Sequence, residues 1–236
     1  MIQTITFGGV NLADFGVVVS GEGTYDAPER SVTEEIVPGR NGTLLIDNGR
    51  FENVVVTYPA AIVQDFPRNM EGLRSFLQSI KGYDRLEDSY HPDVFYLAMP
   101  TGGISVKTSG YMNREGKFDL EFTRKPQRFL KTGEEVITLT QTGTIYNPTL
   151  FDALPLIRIY GTGTVTIGSV EVAWSGPSSY VDLDCDIQDA YYMGSNMNQY
   201  IQLSGYDFPK LEPGETQITL GTGITRVDIT PRWWIL

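Results

Sequence analysis

Phe118-Asp119-Leu120-Glu121-Phe122 puts three apolar side chains on one side of an extended chain and two carboxylates on the other. A period of two is the mark of a half-buried β-strand. The same pattern returns further along. Val170, Val172 and Trp174 share a face opposite Glu171, and Val227 and Ile229 alternate with Arg226 and Asp228. Turn sequences separate these runs: Gly161-Thr162-Gly163, Ser175-Gly176-Pro177, Pro213-Gly214 and Gly221-Thr222-Gly223. Strands and turns at this spacing predict a β-sandwich in the second half of the chain. The two Gly-Thr-Gly segments read as separate hairpin turns that use the same residues.

One segment follows a different period. Met70, Leu73, Phe76, Leu77 and Ile80 recur every three or four residues, which predicts a single amphipathic helix over Pro67–Lys81. Proline suits the first helical turn, and Gly82 supplies the stop. Before the helix, Phe51–Val63 is rich in β-branched and aromatic residues and reads as one long strand. A turn-rich stretch over residues 132–148 holds the expected boundary. The chain is therefore divided into a helix-containing, β-rich domain, residues 1–135, and an all-β domain, residues 136–236. The fold class is mainly β.

The 236 residues suffice for one large or two smaller domains with a real core. Charge narrows the function. Residues 1–139 hold 14 basic and 19 acidic side chains, and the rest hold 4 and 10, within a net charge of −11. Neither part has the Lys/Arg patch that clamps phosphates, so nucleic-acid binding is not expected. A conduit that must not hold DNA tolerates this charge. A single cysteine, Cys185, forbids an intrachain disulfide and a cysteine-rich zinc site. The start, MIQTITFGGV, has no signal-peptide pattern. No run approaches the ~18 apolar residues of a membrane helix, so no membrane insertion is expected.

Catalytic motifs are missing. His91 is the sole histidine, and it sits in Ser89-Tyr90-His91-Pro92-Asp93 without a nucleophile elbow, so it reads as a polar turn residue. Asp182, Asp184 and Asp186 invite a calcium reading. Counted from Asp182, however, the sixth and twelfth positions hold Ile187 and Met193, where an EF-hand loop needs glycine and glutamate. Strand alternation explains these acids more simply. Tyr180, Asp182, Asp184 and Asp186 form a solvated face, with Val181, Leu183, Cys185 and Ile187 turned inward. Gly161–Thr166 lacks the third glycine and the following helix of a dinucleotide fingerprint. No catalytic residue, cofactor or metal is assigned, and the chain is read as non-enzymatic.

Aromatic side chains supply the remaining candidates. Trp174, Tyr191, Tyr192, Trp233 and Trp234 offer a sugar-stacking surface, which makes a carbohydrate-binding module the alternative function. Trp174 falls with Val170 and Val172 and belongs to the core. Trp233 and Trp234 are adjacent, so one of them points outward on a strand. They are the candidate partner-interface residues.

Taken in order, several segments resemble siphophage distal tail proteins, the Dit family. Leu73–Gly82 followed by Tyr83–Tyr90 is similar to that family's helix and following loop. Phe118–Thr123 with Pro126-Gln127-Arg128-Phe129 resembles the end of its N-terminal domain. Asn147-Pro148, Pro155–Gly161, Tyr180–Asp186, Phe208-Pro209-Lys210-Leu211, Pro213-Gly214 and Ile224–Pro231 follow the order of its C-terminal galectin-like sandwich. The resemblance spans nearly the whole chain. It implies a structural protein of the virion tail tip, made in the host cytoplasm. Six copies would form a ring through the N-terminal domains, around a channel that lets DNA pass. The partners implied are the tail tube protein, the tail-associated hub protein and, in some members, receptor-binding proteins.

Overall fold

The computed structural model describes residues 3–19, 26–104, 106–109 and 115–236. Two compact units divide the chain: Met1–Arg128 with Leu236, and Phe129–Ile235. The turn at Lys131–Glu134 falls in the second of these.

The first unit contains β1 (Ile5–Phe7), β2 (Val10–Asn11), β3 (Val17–Val19), β4 (Arg30–Ile36), β5 (Thr43–Phe51), β6 (Val54–Ile62), α1 (Phe66–Ser79), β7 (Asp84–Asp88), β8 (Val94–Pro100), β9 (Lys107–Ser109) and most of β10 (Glu115–Leu130). Its main sheet runs β2-β1-β7-β8-β10-β6-β3, with β9 also pairing β10. In register, Phe118 opposes Ala60, Leu120 opposes Tyr58 and Phe122 opposes Val56. All six are buried, so the acids between them stay outside. Phe7 closes on Phe122 at 5.0 Å between ring centroids. The long strand expected over Phe51–Val63 is two strands, because Glu52 and Asn53 break it between β5 and β6.

Helix α1 is the amphipathic segment expected, with a shifted frame. It starts at Phe66, which is buried with Met70, Leu73 and Leu77, and Pro67 is its second residue. It stops at Ser79, two residues earlier than the pattern suggests. Ile80 is extended, and its Cδ1 lies 3.3 Å from where a side chain at Gly8 would begin. Packing beside the β1–β2 turn thus draws Ile80 out of the helix. Phe76 stacks on Phe15 at 5.6 Å.

The second unit contains β11 (Ile137–Leu139), β12 (Gly143–Asn147), β13 (Leu156–Gly161), β14 (Gly163–Ile167), β15 (Val170–Trp174), β16 (Tyr180–Asp184), β17 (Asp189–Tyr192), β18 (Ser195–Asn196), β19 (Ile201–Leu203), β20 (Gly214–Leu220), β21 (Ile224–Thr230) and β22 (Trp234–Ile235). One sheet runs β11-β21-β13-β16-β17-β18 and the other β12-β20-β14-β15-β19. Ile157, Ile159, Val181, Leu183, Val227 and Ile229 of the first join Val165, Ile167, Val172, Trp174 and Ile218 of the second in one core. This is the expected sandwich.

The two Gly-Thr-Gly segments are not independent hairpin turns. The chain crosses from the six-stranded to the five-stranded sheet at Gly161–Gly163, and returns at Gly221–Gly223. The crossings touch backbone to backbone. A Cβ at Gly161 would fall 2.1 Å from the carbonyl oxygen of Gly223, and one at Gly223 would fall 2.1 Å from that of Thr162. Both glycines have positive φ, +86° and +90°. Glycine is required here twice over, by conformation and by space.

Candidate functional site

Strands β4 and β5 form a ribbon that no third strand joins among the described residues. Thr33 opposes Ile46, Glu34 opposes Leu45, Glu35 opposes Leu44 and Ile36 opposes Thr43. Opposed residues share a face. Leu44 and Ile46 therefore lie on one side, and Val32, Ile36 and Leu45 on the other. All five are exposed, Ile36 by 83% and Leu45 by 61%. The base of the ribbon is fixed. Arg30 pairs with Asp47 and lies over the Phe51 ring at 5.0 Å. Asn48 Nδ2 donates to Ser31 Oγ at 3.3 Å and Thr33 Oγ1 at 3.2 Å. The Gly49 amide, and then Arg30, hold the Asp47 carboxyl below its ordinary value. The result is an arm with apolar side chains on both faces and open edges. A two-stranded ribbon is marginal by itself in water, and open edges invite pairing. Leu44-Leu45-Ile46 is the sequence signal for this arm, and it carries no alternation to mark it as a strand.

The aromatic candidates do not make one surface. Trp174 is in the sandwich core, as its alternation indicates, with Tyr200 edge-on at 6.2 Å. Trp233 also points inward and is 5% exposed. Trp234 is the outward member of the pair. Its ring stacks on Phe151 at 4.3 Å, and its Nε1 donates to the Asp152 carbonyl at 2.9 Å. Tyr191 opposes Asp182 across β16 and β17, whereas the Tyr192 ring meets that of Tyr180 at 4.8 Å.

The acidic strand corrects the expectation of a solvated face. Val181, Leu183 and Cys185 are buried as expected, but Ile187 is 64% exposed because the chain turns at Gln188, which has a positive φ of 55°. Asp182 and Asp184 are themselves buried, each gripped by an arginine. Arg158 donates to both oxygens of Asp182 at 2.6 and 2.9 Å. Arg232 does the same for Asp184 at 2.7 and 2.9 Å. Burial disfavours the Asp184 anion, but the Arg232 guanidinium outweighs it and holds the carboxyl below its ordinary value. Bidentate pairs of this kind fix geometry as well as charge. No group of His, Cys, Asp and Glu among the described residues is arranged to hold a metal ion.

His91 sits in the turn between β7 and β8, its Nδ1 3.1 Å from Asp88 Oδ1. Asp88 also accepts from the Tyr58 hydroxyl at 2.9 Å and the His91 amide at 2.9 Å. Burial, then the Asp88 charge, pushes the Tyr58 hydroxyl far above its ordinary value. This buried carboxylate braces β6 against β7 and its turn. The sequence names His91 but not the acid that holds it.

No family model and no curated protein matches the chain. Among solved structures, it is similar along its whole length to the Dit protein (gp 19.1) of phage SPP1. That protein is described as a paradigm of the hub adsorption apparatus in phages that infect Gram-positive bacteria. The TM-score is 0.74 at 15% sequence identity, and the match covers 100% of each chain. The chain has the distal tail protein fold.

Proposed function

We propose that the chain is a non-enzymatic structural subunit of a phage tail tip. Six copies close into a ring through the first unit, the ring joins the tail tube to a tail-associated hub protein, and DNA passes through its centre. Likeness to a hub protein over the full length of both chains carries this reading. The β4–β5 arm supplies a physical means. A head-to-tail contact that closes on itself makes a ring, and an arm with two apolar faces is suited to lie across the next copy. The net charge of −11 suits a channel that lets phosphates slip past. Trp234, half-buried at the surface of the second unit, is the residue of the pair Trp233 and Trp234 with area left to meet a tail partner.

The test is mass by light scattering on a sizing column, with negative-stain images of the peak. The expected result is a particle of six times the 26.3-kDa chain mass with a central hole. Changing Ile36 and Leu45 together to aspartate is expected to leave single copies with an unchanged far-ultraviolet spectrum. A chain that stays single at all concentrations, alone and mixed with its tail tube protein, overturns the reading.

A further inference from the structure

The outward face of the six-stranded sheet is built too specifically for a bare surface. Its central row crosses four strands as Thr138, Asp228, Arg158 and Asp182, in register. Thr138 Oγ1 donates to Asp228 at 2.7 Å, and Arg226 donates to the other oxygen of Asp228 at 2.6 Å. The adjoining row is aromatic. Arg226 lies 4.1 Å from the Tyr160 ring and donates to that hydroxyl at 2.7 Å. Tyr160 meets Tyr180 at 5.7 Å, and Arg158 lies 4.4 Å from the Tyr180 ring. The guanidinium-bearing side chains remain reachable, at 41% exposure for Arg158 and 43% for Arg226.

Three properties define what fits this face. Its charges are already cancelled, since Arg158, Arg226 and Arg232 each hold an aspartate. An ionic ligand finds no unmatched partner there. Aliphatic area is small: the exposed large hydrophobic residues of the second unit all lie off β13, β16 and β21, and Leu156, on the outward side of β13, is half-buried. A protein interface usually has an apolar centre. What remains is planar donors and acceptors beside half-open tyrosine rings, all held in place by one another. Ordering such groups on binding costs little. Each guanidinium has five N–H donors and keeps some after pairing.

We propose that this face binds a neutral saccharide, with Arg158, Arg226 and Asp228 taking its hydroxyls and Tyr160 and Tyr180 taking its apolar ring face. A saccharide presents adjacent hydroxyls to planar polar groups and C–H faces to aromatic rings. The site does not depend on ring assembly. It differs from the five-aromatic surface suggested by the sequence, because Trp174 and Trp233 are buried elsewhere.

The experiment is an array of neutral oligosaccharides probed with the full chain, followed by titration of the best binder. Binding is expected to fall about tenfold or more with Arg226→Ala, and to fall with Tyr160→Leu, which removes the ring, whereas Tyr160→Phe, which keeps it, is expected to hold most of the binding. Tyr206→Ala, at a fully exposed position on a different loop, is the control and is expected to change nothing. Affinity is expected to vary little between low and high salt. Circular dichroism and the unfolding midpoint confirm that each variant is folded. A blank array overturns the proposal. So does binding that Arg226→Ala leaves intact, or binding restricted to charged glycans. Capture of a tail protein that Arg226→Ala abolishes, with a blank array, assigns the face to a protein and equally overturns it.

Discussion

The β4–β5 arm and the second unit's sandwich are both antiparallel β-structure, yet they are finished by different things. In the sandwich, alternation puts Ile157, Ile159, Val227 and Ile229 inside, and outward charges are paired on the sheet itself. In the arm, apolar residues face out on both sides, and its fixed base is a few polar contacts around Arg30 and Asn48. The sandwich closes its core between its own two sheets. The arm has no such closure, and the proposed ring supplies it. On the proposed reading, difference in exposure, rather than in secondary structure, separates what holds a subunit together from what joins subunits.

That contrast makes the sandwich sensitive to small changes and the arm tolerant of large ones. The largest expected loss is at the crossing of the two sheets. Gly161→Ala places a Cβ against a backbone carbonyl at a φ of +86° and is expected to cost about 3–4 kcal/mol. Urea unfolding followed by tryptophan fluorescence reads this directly, because Trp174, Trp233 and Trp234 all lie in the second unit. A midpoint within error of the parent chain would show that the two crossings are free to part.

Next is the buried carboxylate of β16. Arg232→Ala strands Asp184 and is expected to cost about 2 kcal/mol, less than a fully buried pair because the arginine is partly exposed. The sign of the pH effect follows from the lowered carboxyl. The Asp184–Arg232 contribution is complete above the ordinary value of 3.8 and is lost as pH falls through the lowered one. Acid unfolding of Asp184→Asn is therefore expected to be flatter below that value than in the parent chain. An identical acid slope would place the sensitivity elsewhere.

The smallest effect on folding is expected in the arm. Leu45→Asp, at a site 61% exposed, is expected to shift the unfolding midpoint by no more than about 0.5 kcal/mol. Its effect on copy number should be large. A destabilised single chain would mean that the arm packs on its own subunit, and the contrast with the sandwich would fail.

Local pattern made part of this legible. Phe118, Leu120 and Phe122 announce their strand because burial on one face is written every second residue. Met70, Leu73 and Leu77 announce the helix in the same way. Pairings made by distant residues carry no such mark. Arg158 is 24 residues from Asp182, and Arg232 is 48 residues from Asp184. The acids of β16 therefore look solvated until the sheet is assembled. The arm escaped for the opposite reason. Its apolar run resembles a buried strand, and only its isolation in the fold shows it to be exposed. The saccharide face was visible only as scattered arginines and tyrosines, since its rows exist only across strands.

The meeting of Gly161 with Gly223 also bears on the order in which the sandwich forms. Its two crossings lie about sixty residues apart along the chain, so the contact closes a long loop and is entropically late. Neighbouring strands β14 and β15 can pair through their short turn well before it. A contact made after the rate-limiting step leaves the folding rate alone and governs escape from the native state. The glycine crossing would then act as a latch whose strength is read in the lifetime of the folded sandwich rather than in the speed of its making.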